Sequence, residues 1–227
     1  MLLLFDIDGT LLQNAAAAHR DALHEALRIV HGVRDPVRRR GTDVAGRTDA
    51  EIARGLLTAA GVSADRIDER ADDVRIAACT AYARLCPEDL SSHVTPGMGD
   101  LLERLDEHGG LLLALVTGNY EPIARMKLRR AGIGRFFPSG QGGFGSDHEQ
   151  RAELPRIARR RAGSPEPWPR ERTVVIGDTP RDIACARADR VRVVAVATGP
   201  YSADELRGAD AVARDVDELG VLLERLA

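Results

Sequence analysis

Short, wholly apolar runs alternate along this chain with stretches whose apolar residues recur every three or four positions. Residues 2–5 read Leu-Leu-Leu-Phe and stop at Asp6. A run this short and continuous predicts a strand buried on both faces. Residues 111–116, 173–176 and 191–196 repeat the pattern. Helical periodicity fills the intervals. Residues 99–108 carry Leu101, Leu102 and Leu105, and 121–131 open with Pro122, a residue suited to a helix's first turn. Residues 149–162 and 180–188 complete the series. Strand and helix in alternation predict a doubly wound α/β fold with a parallel sheet. In such sheets ligands bind at the carboxyl ends of the strands.

Residues 13–93 follow a different pattern, with no strand-like run. Ala16, Leu23, Leu27 and Val30 share one helical face. Ile67, Ala71, Val74, Ala78, Tyr82 and Leu85 form a second stripe. A shorter helix over 49–60 lies between them, stopped by Gly61. This predicts a helical domain over 13–93, inserted into a core made of 1–12 and 94–227. The return linker is 86–97, with Pro87 and Pro96.

Composition narrows the class. The chain has 227 residues, 44% hydrophobic and 30% charged, as ordinary globular proteins do. A net charge of −3 offers no basic excess for nucleic acid. No apolar run approaches the roughly 18 residues of a membrane span. Cys79, Cys86 and Cys185 form no CxxC pair, which fits a reducing compartment and predicts a cytoplasmic protein. Lys127 is the only lysine, and it follows Met126 rather than glycine, so no phosphate-binding GxxxxGK[ST] loop exists.

Three predicted strands end in chemistry-bearing residues. The first ends in Phe5-Asp6-Ile7-Asp8-Gly9-Thr10. Two carboxylates so close repel unless a cation or proton compensates, and alternation puts Asp6 and Asp8 on one face. The second ends in Thr117-Gly118-Asn119, a hydroxyl and backbone N–H groups able to hold phosphate oxygens. The third ends in Gly177-Asp178-Thr179-Pro180-Arg181-Asp182. Asp182 also suits the helix dipole there. Carboxylates from two strand ends suit Mg²⁺.

These motifs, in this order and over essentially the whole chain, resemble the haloacid dehalogenase superfamily in its phosphatase branch. The resemblance implies a Rossmann-like α/β core with the helical insert as a cap. It implies Asp6 as the nucleophile that becomes an aspartyl-phosphate and Asp8 as general acid and base. Thr117, the Gly118 amide and Asn119 would bind phosphate. Mg²⁺ would be held by Asp6, the Asp8 carbonyl and Asp178, with Asp182 close by or through water. Arg47 and Thr48, in the cap's Gly46-Arg47-Thr48-Asp49, resemble a loop that reaches the substrate, although Thr48 equally suits a helix N-cap. An acid at position 8 favours phosphoryl transfer over dehalogenation, because halide needs no protonation.

The chain departs from the family in one respect. The phosphate-binding lysine expected before the third motif is missing, and Arg151 is the nearest cation by position. Lys127 is the second candidate, since its side chain leans back toward Thr117. Gly140–Gly145 formally matches GxGxxG, but it follows no strand and is read as a loop. The expected activity is Mg²⁺-dependent hydrolysis of a small phosphorylated metabolite, without nucleic acid or membrane partners. The alternatives are a sugar-phosphate mutase of the β-phosphoglucomutase type and a catalytically silent binding module.

Overall fold

The computed structural model describes residues 1–33 and 44–225. Residues 34–43 of the predicted 13–93 insert thus lie outside the described residues. The strands are β1 (Leu2–Phe5), β2 (Leu112–Thr117), β3 (Gly143–Phe144), β4 (Thr173–Gly177), β5 (Arg192–Val196) and β6 (Ala211–Ala213). They form one parallel sheet in the order β3-β2-β1-β4-β5-β6. Strand order reverses between β1 and β4, and this is where a doubly wound sheet opens a crevice at its carboxyl edge.

The apolar run of β1 has its reason in the two layers. Leu3 and Phe5 belong to one buried cluster, Leu2 and Leu4 to the other. The first cluster is covered by α5 (Met98–Glu107), α6 (Glu121–Arg130) and α9 (Val216–Glu224). The second is covered by α7 (Leu154–Ala162) and α8 (Pro180–Asp189). A strand apolar on both sides is stable only when sandwiched in this way.

Between β1 and β2 lie α1 (Ala17–His31), α2 (Asp49–Ala59), α3 (Ala64–Glu69) and α4 (Ala71–Leu85). Helices α1 and α4 pack on each other, burying Leu23 and Leu27 of one and Val74, Ala78 and Tyr82 of the other. The chain's exit and return are tied together, with Leu12 bridging Val94 and the Gln13 amide donating to His93 O at 2.7 Å. No described helix is long and apolar enough to cross a membrane.

The structure corrects several sequence expectations. The stripe from Ile67 to Leu85 is two helices, interrupted at Arg70. The helix expected over 149–162 begins only at Leu154, after a turn of 3-10 helix at Arg151–Glu153, because Pro155 suits a first turn and not an interior. The 140–145 segment contains β3, which pairs with β2 through Val116 and Thr117. Strands β3 and β6 span two and three residues, too short to show periodicity. Helix α9 was not predicted, although Asp215 caps its Glu218 amide.

Candidate active site at the carboxyl edge of the sheet

Register places the three motifs side by side. Phe5 pairs with both Leu115 and Ile176, so the residues following β1, β2 and β4 emerge on one edge. Asp6 is 3% exposed, and its amide continues the ladder to Ile176 O at 2.9 Å. Asp178 and Asp182 are fully buried. Oxygens of Asp6, Asp178 and Asp182 lie within 4.8 Å of one another. Three carboxylates this close require a cation, a proton or both.

The only cation reaching this group among the described residues is Arg151. Its Nη2 lies 3.0 Å from Asp6 Oδ1 and also bonds Asp182. One guanidinium does not neutralise three acids. Burial, with the charges of Asp182 and Asp8 added, pushes the Asp6 carboxyl up to about 6 although Arg151 opposes the shift. Burial and the charges of Asp182 and Asp6 push Asp178 up to about 8.

Asp182 has a second task. Its Oδ2 accepts from the Thr179 amide at 3.0 Å and the Thr179 hydroxyl at 2.7 Å, closing a capping box on α8. The cap and the cluster therefore share one carboxylate. Asp178 is less committed. Its Oδ1 accepts from the Thr10 hydroxyl at 2.9 Å, while its Oδ2 has no partner. Glycines make the space around that oxygen. A Cβ on Gly9 (φ +93°) would lie 2.2 Å from it, and one on Gly199 1.7 Å. A buried carboxylate oxygen without a donor, among two other acids, is what a hard divalent cation requires.

Asp8 is treated in the opposite way. Its side chain is 31% exposed, and both oxygens are 2.7 Å from the Lys127 Nζ, itself fully buried. Asn119 Nδ2 donates to Asp8 Oδ2 at 2.9 Å. Burial would raise the Asp8 carboxyl, but the Lys127 ammonium outweighs it and holds Asp8 below the usual range. Lys127 leans back along α6 as expected from its rotamer direction, but onto Asp8. The two candidate cations thus divide, Arg151 on Asp6 and Lys127 on Asp8.

At the end of β2, Thr117 is fully buried and its Oγ1 accepts from the Asn119 amide at 3.3 Å. Gly118 O accepts from the Asp49 amide at 2.8 Å. A Cβ on Gly118 would sit 2.1 Å from Arg47 O, so the close approach of this loop depends on glycine. Thr48 fills both roles considered for it. Its Oγ1 accepts from the Glu51 amide at 3.1 Å, capping α2, and donates to Glu149 O at 2.6 Å across to the core. Arg47, just before the N-cap, pairs with Glu51 in the first turn of α2. Arg54 and Arg181 tie the same region down through Glu149 and Ala45 O. A cavity of about 320 Å³ lies beside this loop, lined by Ala53, Leu57, Ile67, Val74 and Tyr120, but none of the clustered acids lines it.

Of two further residues at the site, His19 was not singled out in the sequence, and Asp49 entered only as the last residue of the Gly46-Arg47-Thr48-Asp49 loop. His19 lies on the buried face of α1, and Asp49 follows the N-cap of α2. A signal existed: His19 is the polar member of an otherwise apolar stripe with Ala15, Ala22, Leu23 and Ala26.

Residues 3–187 match the family model described as haloacid dehalogenase-like hydrolase. No curated protein sequence matches the chain. Among solved structures, a candidate beta-phosphoglucomutase from Bacteroides vulgatus aligns with a TM-score of 0.68 at 20% identity, covering 99% of this chain and 88% of that one. A haloacid dehalogenase-like family hydrolase from Streptococcus pneumoniae aligns at 0.60 and 24% identity, covering 99% and 97%. CbbY from Rhodobacter sphaeroides, in complex with phosphate, aligns at 0.64 and 19% identity, covering 96% of each. At these identities the likeness is one of fold.

Proposed function

Because the chain belongs to the haloacid dehalogenase-like hydrolase family, we propose that it is a Mg²⁺-dependent phosphatase of a small phosphomonoester, acting through an aspartyl-phosphate on Asp6. The observation that carries the proposal is the unequal treatment of the two motif carboxylates. Asp6 is buried beside Arg151, which offers an unpartnered Nε, while Asp8 is half-open and set by Lys127. Nucleophile and proton carrier need such different surroundings.

In the first step a carboxylate oxygen of Asp6 attacks phosphorus and the bond to the alcohol oxygen breaks, with Asp8 giving that oxygen a proton. In the second, water attacks phosphorus, Asp8 takes its proton, and phosphate leaves with Asp6 restored. Lys127 holds the Asp8 carboxyl below its usual range, the ionised form that the second step uses. To act in the first step Asp8 must first take up a proton, and the anionic charge of a bound phosphomonoester beside it favours that uptake. Arg151 Nε, Thr117 and the Gly118 amide are the groups assigned to phosphate oxygens, while the Arg151 Nη2 stays on Asp6 and Asp182. Lys127 and Asn119 are assigned to Asp8.

The acid cluster fits a divalent cation. Asp6, Asp178 with its free oxygen and the Asp8 carbonyl would hold it, with Asp182 behind. When bound, it offsets the charge between an anionic nucleophile and an anionic substrate. The protein is assigned to the cytoplasm, with a phosphorylated metabolite as its partner.

The test is a panel of phosphomonoesters, sugar phosphates included, with p-nitrophenyl phosphate and Mg²⁺. Release of free phosphate supports the proposal. The Bacteroides vulgatus relative's name, and a CbbY structure holding xylulose-(1,5)bisphosphate, keep a sugar-phosphate mutase as second reading. An isomerised sugar phosphate without phosphate release would select it.

A further inference from the structure

Lys127 has three N–H bonds to give and no lone pair. Two go to Asp8 and the third faces His19 Nδ1 at 3.2 Å. On the other side of the ring, His19 Nε2 lies 3.0 Å from Asp49 Oδ2. That oxygen also accepts from the Tyr120 amide at 2.7 Å.

The tautomer of His19 follows from these partners. The Asp49 carboxylate accepts, so Nε2 carries the hydrogen. The Lys127 ammonium donates, so Nδ1 carries the lone pair. A proton on Nδ1 would set two N–H groups against each other. The ring is therefore neutral and oriented from both ends, with His19 and Asp49 both buried.

These four residues come from different parts of the chain. Asp8 and Lys127 follow β1 and lie on α6, in the core. His19 and Asp49 lie on α1 and at the start of α2, in the insert. Asp49 is also the residue whose amide docks on Gly118 O. One residue thus touches the end of β2 with its backbone and orients His19 with its side chain.

We infer that the Asp49–His19 pair is a positioning device, by which docking of the 45–49 loop on the end of β2 holds Lys127, and through it Asp8, in place for proton transfer. The inference rests on the phosphatase reading for its kinetic consequence, but not for its geometry. His19 touches no reacting atom in it. Without the ring, Lys127 keeps Asp8 but loses the third anchor that fixes its ammonium, and Asp8 loses its aim.

Two measurements test it. The first is the ¹⁵N spectrum of the histidine rings in the wild type, with His19 identified by its absence in His19→Asn. The expected signal is a neutral ring with hydrogen on Nε2. A ring averaging between tautomers, or carrying hydrogen on Nδ1, would overturn the inference whatever the enzyme does. The second is kinetic, with p-nitrophenyl phosphate and Mg²⁺. His19→Leu is expected to lower kcat by about a hundredfold with KM changed far less, the size expected of misplacement near a reacting group. His19→Asn puts an amide oxygen near the place of Nδ1 and is expected to recover most of kcat. His19→Gln reaches toward Asp49 instead and is expected not to. Equal kcat in the Asn and Gln variants at equal melting temperature means a merely structural histidine and overturns the inference. If His19→Leu does not fold, the Asn–Gln contrast and the ring spectrum decide. A wild type that releases phosphate from no compound removes the phosphatase reading, and the ring spectrum still decides the contact chain.

Discussion

Two buried arginine–aspartate pairs join the α7 region to α8, and they are built for opposite ends. Arg159 on α7 bonds Asp189 on α8 through Nε at 2.6 Å and Nη2 at 2.9 Å, and its Nη1 reaches Trp168 O at 2.6 Å. Arg170 adds a bond to Asp189 O at 2.8 Å. Neither Arg159 nor Asp189 has an orphaned buried atom among the described residues. Arg151, one turn before α7, meets Asp182 at the start of α8, but there three acids share one guanidinium. Arg151 Nε and Asp178 Oδ2 are left without partners. Ion pairs in the interior are tolerated when fully satisfied, because desolvation otherwise outweighs attraction. The first pair obeys that rule and holds helices together. The second breaks it at the crevice, and the unmet demand is for an anion at Arg151 and a cation at Asp178.

The sharpest way to break this contrast is to remove one charge from each cluster. Asp6→Asn is expected to cost at least about a thousandfold in kcat, the scale seen when a nucleophile is lost. Its melting temperature should stay level or rise, because a crowded acid has gone. Turnover near the wild-type rate would remove Asp6 as nucleophile. Asp189→Ala should do the reverse. It strands Arg159 in the interior and is expected to cost about 3–5 kcal/mol of stability, while kcat of the folded fraction is unchanged. Denaturant melts and rate assays on both variants make the comparison. If Asp189→Ala lost activity and kept stability, the structural role assigned to that pair would be wrong.

Metal removal sharpens the same contrast through pH. Without a cation, burial and neighbouring charge push the Asp6 carboxyl up to about 6 and the Asp178 carboxyl up to about 8 from an ordinary 3.8. The folded state then holds these protons more tightly than the unfolded one. Their contribution to stability is complete below about pH 4 and is lost as pH climbs through both values. A cation that replaces the protons stabilises most where they are gone. The melting-temperature gain on adding Mg²⁺ after EDTA should therefore be larger at about pH 9 than at about pH 5. An Asp178→Asn variant should lose most of that difference. A gain independent of pH, or one surviving in the variant, would place the metal elsewhere.

The outline of this site was readable because its parts sit at strand ends, where apolar runs stop abruptly at acids. Leu2–Phe5 before Asp6 and Thr173–Gly177 before Asp178 are long enough to stand out as unbroken buried runs, and parallel register does the rest. Fold class and the acid cluster followed from that. What sequence could not rank was the pair of cations. Lys127 and Arg151 both had plausible reach, but which acid each meets depends on how α6 and the turn before α7 pack against β1. The pairing of His19 with Asp49 was hidden for the same reason, since 30 positions separate them and only the fold brings them together. Strands β3 and β6 escaped because two or three residues carry no period.

The smallest effect concerns the seam between the insert and the core. Thr48 sits on it with one hydroxyl doing two things, accepting from Glu51 to begin α2 and donating to Glu149 O. If capping were its whole role, Thr48→Ala would cost about 1 kcal/mol and leave kinetics alone. The bond to Glu149 adds a second consequence. Without it the 45–49 loop loses one tie to the core, so kcat should fall by a few-fold beyond what the stability change accounts for. Thr48→Ser keeps the oxygen and should restore both. Recovery of stability without recovery of rate in Thr48→Ser would show that the methyl group, packed in the buried seam, rather than the hydroxyl, aligns the loop. An Ala variant that loses stability only would make Thr48 a helix cap, and would leave docking of the loop to Asp49 and Gly118.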